Sequence, residues 1–150
     1  MSKTISAGRT PRIEITAVSG DLSLVGWEGD DILLKADDEE MNVKQDGDQV
    51  TIACKDDLSM RVPKGATVII HRITGDASVR GVMGAIELKE ISGDLSMRDV
   101  VTVAIDTVHS DFSLRGAKGS LSIRKAGSDV SVRDMDGNVA IESVSDDLAL

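Results

Sequence analysis

The block SGDLSMRD at residues 92–99 decides the fold, because close variants of it recur along the chain. TGDASVRG begins at Thr74, HSDFSLRG at His109 and GSDVSVRD at Gly127, and shorter forms occur towards both ends. The acidic residue of the block recurs every 17 to 19 residues, with a mean spacing of 18. A fixed period of this length is typical of a solenoid. The acidic positions are Asp21, Glu40, Asp57, Asp76, Asp94, Asp111, Asp129 and Asp147.

A second, weaker block lies halfway between the first, so the repeating unit is about nine residues long and is used twice in each coil. It reads AIELK at 85–89, TVAID at 102–106 and SLSIR at 120–124. Each unit carries an apolar-x-apolar alternation, the period-two pattern of a half-buried strand. A further apolar residue three positions later is expected to fill the corner. The sixteen predicted strands have the inward pairs Ile13/Ile15, Leu22/Leu24, Ile32/Leu34, Met41/Val43, Val50/Ile52, Leu58/Met60, Val68/Ile70, Ala77/Val79, Ile86/Leu88, Leu95/Met97, Val103/Ile105, Phe112/Leu114, Leu121/Ile123, Val130/Val132, Val139/Ile141 and Leu148/Leu150.

The pattern predicts an all-β fold, a single-stranded parallel β-helix (β-solenoid) that forms one domain over residues 1–150. About eight coils of about 18 residues, with two short strands each, stack about 4.8 Å apart, so that each strand lies beside its equivalent one coil later. A right-handed winding follows from the general crossover preference. A β-sandwich of sixteen short strands is the alternative, and it explains the alternation but not the fixed period.

The stretch 36–65 fits the repeat least well. Its corner positions hold Asp37, Asp46, Lys55 and Pro63, and residues 37–40 are the acidic run DDEE. We interpret this stretch as a pair of looser, solvated coils, or as a hairpin that turns at Asp46-Gly47.

Stacking turns the outward residues of one face into columns of acid, serine and arginine. A serine lies two residues after the acid in most blocks, and an arginine lies four residues after it. We interpret the columns as structural: the acid column offsets repulsion between the arginines, and the hydroxyls bond along their own ladder. A ligand surface is the alternative. The predicted serine column runs Ser23, Asn42, Ser59, Ser78, Ser96, Ser113, Ser131 and Ala149, and the predicted arginine column runs Val25, Lys44, Arg61, Arg80, Arg98, Arg115 and Arg133.

The opposite face is less polar. Its predicted middle column contains Leu33 and Ile69, whose exposure would mark a contact patch. The whole column is expected to run Leu33, Thr51, Ile69, Glu87, Ala104, Ser122 and Ala140.

Composition excludes several classes of partner. The chain has 17 basic and 26 acidic residues, a net charge of −9 and a pI near 4.6, which argues against nucleic acid and against an anionic membrane surface. It has one Trp, one Phe and no Tyr, so rings for stacking on bases or sugars are nearly absent. No apolar stretch is long enough for direct membrane insertion, and the first residues contain no apolar signal region. These features suggest a cytoplasmic chain.

No catalytic constellation stands out, so the chain is predicted not to be an enzyme, with no catalytic, cofactor-binding or metal-binding residues. His71 and His109 fall in different outer columns, and Cys54 has no basic neighbour to lower its pKa. Calcium is the remaining metal alternative, because nonapeptide coils of another kind bind it. The period matches those coils, but their paired glycines are missing, and the sequence DMDGN at 134–138 lacks the distal Glu of a calcium loop.

The blocks SGDLSL, TGDASVRG and SGDLSMRD, with LSMRVPKGATVII leading into the regular ones, resemble the Toastrack family of bacterial adhesin-like proteins. The likeness covers nearly the whole chain and is strongest over 58–150. It implies a β-solenoid without known enzymatic activity, associated in some members with cell-envelope or membrane-stress systems. The family's signal, membrane segment and helical domain are not seen in this chain. Bactofilins, which are polymerising β-helices, have coils of similar length but match less well.

The ends of the repeat array suggest self-association. Leu150 falls inside the repeat begun at Ser145 with no cap after it, so the domain is expected to be truncated there and its end coils to pair with other chains. Residues 1–10 are expected to shield the first coil. Two functions follow: a scaffold or interaction module that engages a protein partner along one face of the rod, or a filament-like structural element.

Overall fold

The computed structural model describes residues 2–6, 8, 10–36 and 42–149, and this part of the chain is built from strands joined by tight corners. It contains no helix of the length and apolar character that crossing a bilayer requires. The strands are β1 (Ser2–Ser6), β2 (Arg12–Val18), β3 (Leu22–Trp27), β4 (Asp31–Ala36), β5 (Asn42–Asp46), β6 (Gln49–Cys54), β7 (Leu58–Pro63), β8 (Thr67–Ile73), β9 (Ala77–Arg80), β10 (Ala85–Ile91), β11 (Leu95–Val100), β12 (Thr102–Val108), β13 (Phe112–Ala117), β14 (Ser120–Ala126), β15 (Val130–Met135), β16 (Asn138–Val144) and β17 (Leu148–Ala149).

The strands form two sheets that share one apolar core. Sheet A has the order β1-β4-β7-β3-β9-β11-β13-β15-β17, and sheet B has the order β16-β14-β12-β10-β8-β2-β6-β5. From β6 onward the chain alternates between the sheets, and each pair of strands makes one coil. The β-solenoid predicted from the repeat is thereby confirmed, while the hand of its winding stays a prediction.

The inward pairs of the repeat build the core. Leu95 is 1% exposed and packs in register between Ala77 and Phe112 of the adjacent coils. All described pair members from Ile13 to Val132 are buried except Val43, and no polar or charged side chain is buried among the described residues. The repeat therefore stacks equivalent apolar side chains in columns, and the side chains of each coil complete the core of the neighbouring coils.

The spatial order of the first coils differs from their order in the chain. The coil made by β2 and β3 lies between the β6–β7 coil and the β8–β9 coil, with Ser23 opposite both Ser59 and Ser78. The expectation that every strand lies beside its equivalent one coil later is therefore wrong at this end and holds from β8 onward. Seven parallel coils result among the described residues, where about eight were expected.

Strand β5 covers one end of the stack on sheet B and runs antiparallel to its neighbour β6. β5 and β6 form a hairpin in which Asp46 pairs with Gln49, and Gly47 has φ +62°, a conformation that glycine adopts without steric cost. The hairpin at Asp46-Gly47 is confirmed. Because β5 reverses direction, it cannot stack as a parallel coil. The acidic run 37–40 and Met41 lie outside the described residues.

On sheet A the same end is closed by two further strands. β4 runs antiparallel to β7, and β1 runs antiparallel to β4. The first residues thus cover the end of the array, as expected, but they lie on β4 and not on the β2–β3 coil. The repeat missed β1 because SKTIS has one inward apolar residue, Ile5, and no apolar pair.

The opposite end is more open. The core residues Val139, Ile141 and Val144 of β16 are partly buried, and Leu148 of β17 is 46% exposed. β16 and β17 each pair with one strand among the described residues. Leu150, the last predicted inward residue, lies outside the described part of the chain.

Candidate interaction face

The outer surface of sheet A carries a single file of serines. Ser96 pairs in register with Ser78 on one side and Ser113 on the other, and Ser131 continues the file to Ala149. Ser23 stands between Ser59 and Ser78 because its coil is inserted there. Asn42 does not join, since it pairs with Ala53 in sheet B. No hydroxyl–hydroxyl bond links the file among the described residues, so the predicted bonding along it is not seen.

The acid column is a ladder of side-chain to backbone hydrogen bonds. The amide of Asp76 donates to Oδ1 of Asp21 at 2.8 Å, and the amide of Asp94 donates to Oδ1 of Asp76 at 2.8 Å. The same bond joins Asp21 to Asp57, Asp111 to Asp94, Asp129 to Asp111 and Asp147 to Asp129, at 2.7 to 3.2 Å. The ladder begins at Asp57, whose own amide donates to Oδ1 of Asp56 at 2.8 Å. Glu40, predicted as a member, lies outside the described residues.

The residue before each aspartate sets how closely the ladder packs. A Cβ on Gly75 would lie 2.3 Å from Oδ1 of Asp21, and one on Gly93 would lie 2.3 Å from Oδ1 of Asp76. Below those glycines the ladder bonds are 2.8 Å long. Where Ser110 replaces the glycine the bond lengthens to 3.1 Å, because the carboxylate must clear the added Cβ. The glycine before the aspartate therefore leaves room for the carboxylate of the neighbouring coil.

Asp94 accepts a second hydrogen bond. Oδ1 of Asp94 accepts from Oγ of Ser110 at 2.6 Å as well as from the amide of Asp111 at 3.1 Å. The serine bond, and then the amide bond, hold the pKa of Asp94 below its ordinary value of 3.8, because both donors favour the ionised carboxylate.

Asp94→Asn tests this pKa. A folded-state pKa below the unfolded one gives stability that is present above the unfolded pKa and is lost as the pH falls through the folded pKa. The urea midpoint of the variant is therefore expected to lie below that of the wild type at neutral pH. The gap should close below pH 3.8, where protonated aspartate resembles asparagine. A gap that is constant across urea titrations from neutral pH to below 3.8 contradicts the assignment.

The arginine column has few charge partners. Arg80, Arg98, Arg115 and Arg133 stand in register on four adjacent strands, and all four are exposed. Val25 separates them from Arg61 at the other end of the file. Lys44 is not a member, because it pairs with Thr51 in sheet B.

The charges of this column are not offset as predicted. One ion pair to a described residue is present, between Nε of Arg115 and Oδ2 of Asp134 at 3.7 Å. The acid column lies four residues, or about 13 Å, before the arginine column, at the start of each strand, and directs Oδ1 at backbone amides. Like charges about 4.8 Å apart repel, so the column is a site where an anion would be stabilised.

A trough of about 650 Å³ runs over four coils beside the arginine column. Its floor is the serine file from Ser59 to Ser96, and the aspartate ladder forms one wall. Lys35 of β4 stands at the closed end. Oδ2 of Asp21 and of Asp76 accepts no hydrogen bond from a described residue, so the trough offers carboxylate acceptors beside serine hydroxyls, with the cation Lys35 at its closed end.

The apolar patch expected on the opposite face does not form. Ile69 lies in sheet B between Glu14 and Glu87, in the register Thr51, Glu14, Ile69, Glu87, Ala104, Ser122 and Ala140. Leu33 belongs to β4 and lies in sheet A opposite Arg61. The two residues therefore face away from each other, and the prediction of a shared patch is wrong.

His71 of β8 and His109, which directly follows β12, line one surface groove, and each lies beside a carboxylate. Nε2 of His71 is 2.8 Å from Oε1 of Glu14, and Nε2 of His109 is 3.2 Å from Oε1 of Glu90. Cys54 is buried at a corner, with Sγ 3.4 Å from the carbonyl oxygen of Asp56. These contacts hold each side chain locally, and Cys54 is not among the residues that line the groove of the two histidines.

The acidic residues converge once among the described residues, where one carboxylate oxygen from each of Asp129, Asp146 and Asp147 lies within 4.8 Å of the others. All three side chains are exposed. Calcium takes six to eight oxygen ligands, so this cluster by itself does not define a site.

Comparisons with known proteins find similarity in solved structures. No protein-family model matches the chain, and no curated protein matches it. A solved structure titled "a putative cell adhesion protein" from Clostridium sporogenes ATCC 15579 is similar over 99% of each chain, with a TM-score of 0.45 and 7% sequence identity. A likeness at this level carries no functional argument.

Proposed function

We propose that the chain is a non-enzymatic scaffold, adhesin-like in character, that presents the outer face of sheet A to a partner of the cell envelope. The observation that supports it is the column Arg80, Arg98, Arg115 and Arg133, of which only Arg115 has an ion pair among the described residues. A surface that keeps like charges in line without neutralising them is stabilised when a partner covers it.

The rigidity of the face supports the same role. The aspartate ladder and the buried columns fix the spacing of every coil, so the outward side chains are presented in a constant array. A preorganised surface loses less entropy on binding than a mobile one. Membership of the Toastrack family, with a place in an envelope or membrane-stress system, is the finer form of this proposal, and it rests on the repeated blocks.

Co-sedimentation with isolated envelopes of the organism that encodes the chain tests the proposal. Arg80→Gln combined with Arg98→Gln is expected to reduce the bound fraction at least tenfold. The matched control is Arg72→Gln with Arg124→Gln, which removes the same charge from exposed positions on sheet B. Equal retention of all three proteins would show that sheet A is not the docking face.

Self-association through the terminal coils is the second candidate. The exposure of Leu148 and the single pairing of β16 and β17 among the described residues favour it. Light scattering across a dilution series tests it, and a monomer at every concentration speaks against it.

A further inference from the structure

We propose that the ligand of the sheet A face is an acidic polysaccharide, a chain with both carboxylate and hydroxyl groups, lying along the rod axis in the trough. This inference rests on the proposed function and names the chemistry of its partner. It is argued from the three kinds of side chain that the trough and its border bring together.

The arginine column supplies the charge recognition. Arg80 and Arg98 belong to strands β9 and β11, whose serines form part of the trough floor, and neither has an ion pair among the described residues. A guanidinium is a donor only, and its fork matches a carboxylate. Repeated at about 4.8 Å along the axis, the column suits a linear polymer whose anionic groups recur along its length.

The aspartate ladder selects among anionic polymers. An ionised carboxylate is an acceptor only, so Oδ2 of Asp21 and of Asp76 requires a donor from the ligand. Sugar hydroxyls supply such donors on the same chain that carries the acidic groups. A DNA strand has no backbone hydroxyl and polyphosphate has no hydroxyl groups along its chain, so neither supplies these donors.

The serine floor of the trough and the lack of aromatic rings lining it also favour an acidic polysaccharide. Ser78 and Ser96 lie about 7 Å from the arginine of their own strand, and a hydroxyl both donates and accepts, so it suits a sugar hydroxyl. Neutral glycans are commonly held by stacking on aromatic rings. The single phenylalanine, Phe112, is buried, and Trp27 donates Nε1–H to the carbonyl of Asp31 at 2.8 Å, away from the trough. Charge and hydroxyl bonds therefore carry the recognition.

Calorimetric titration of the full chain tests the inference, with polygalacturonate as the probe and dextran, single-stranded poly(dT) and polyphosphate as comparisons. Polygalacturonate is expected to bind at low salt, and the other three to bind at least tenfold more weakly. Arg80→Gln with Arg98→Gln should reduce its affinity at least tenfold and lower the salt dependence of log K by about one per arginine. Arg72→Gln with Arg124→Gln should change neither quantity.

The outcomes distinguish failure of this inference from failure of the proposed function on which it rests. Equal affinity for poly(dT) or polyphosphate would overturn the polysaccharide and leave a general anion-binding face. If polygalacturonate does not bind while the envelope binding still requires Arg80 and Arg98, the ligand chemistry is wrong and the docking face stands. If neither binding depends on these arginines, both proposals fail.

Discussion

Replacing Leu95 by alanine is expected to lower the free energy of unfolding by about 2–5 kcal/mol. Leu95 is 1% exposed and lies between Ala77 and Phe112 in the core column of sheet A. β11 is paired in register on both sides, so neighbouring coils cannot collapse fully into the cavity. The loss of unfolding free energy therefore includes both the lost burial of the removed atoms and the cavity that remains. Urea denaturation followed by circular dichroism measures the change.

Ser96→Ala is the matched control for Leu95→Ala. Its side chain is exposed in the serine file one residue further along the same strand, so the change should stay within about 0.5 kcal/mol. Similar losses from both variants would contradict the assignment of Leu95 to the inside and Ser96 to the outside of β11.

In the variant Ser23→Cys with Ser78→Cys, a disulfide is expected to form almost completely. In Ser59→Cys with Ser78→Cys, a disulfide is expected not to form. Ser23 pairs directly with Ser78, about 4.8 Å away, which lies within the Cα separation that a disulfide spans. Ser59 and Ser78 are separated by the strand of Ser23, about 10 Å apart and out of reach.

The measurement is copper-catalysed oxidation followed by non-reducing electrophoresis, in a Cys54→Ala background. Ser78→Cys with Ser96→Cys is the positive control, because these positions are neighbours whichever way the first coils are ordered. In the chain-entropy model a bridge from 23 to 78 adds about 4 kcal/mol to stability. Cross-linking of 59 to 78 instead of 23 to 78 would restore the order of the sequence and contradict the inserted coil.

The repeat predicts most of the fold because the apolar alternation within each unit shows which side chains enter the core and which face solvent. The sixteen predicted strands correspond to β2 to β17, and from β8 onward the register follows the period. The inserted coil could not be predicted, since Ser23 fits equally well beside Ser59, Ser78 or any other serine of the file. Identical blocks carry no information about which copy is the neighbour.

The sequence predicts the columns of the candidate site but not the partners of their charged groups. The columns of acid, serine and arginine follow from the 18-residue period, but the sequence suggested that acid and arginine neutralise each other. The strand places them about 13 Å apart, and the next coil of the stack presents backbone amides to the carboxylates instead. A signal was present in the glycines before Asp76 and Asp94, whose missing side chains leave room for a carboxylate from the previous coil of the stack.

The inserted coil also constrains how the chain matures during synthesis. Residues 12–27 are synthesised before both of their neighbours, at 49–63 and 67–80. The second edge of this coil therefore has no partner strand until about residue 80 has been translated. After that point each new turn of the spiral settles on one already in place, so the second half of the protein is free of this delay.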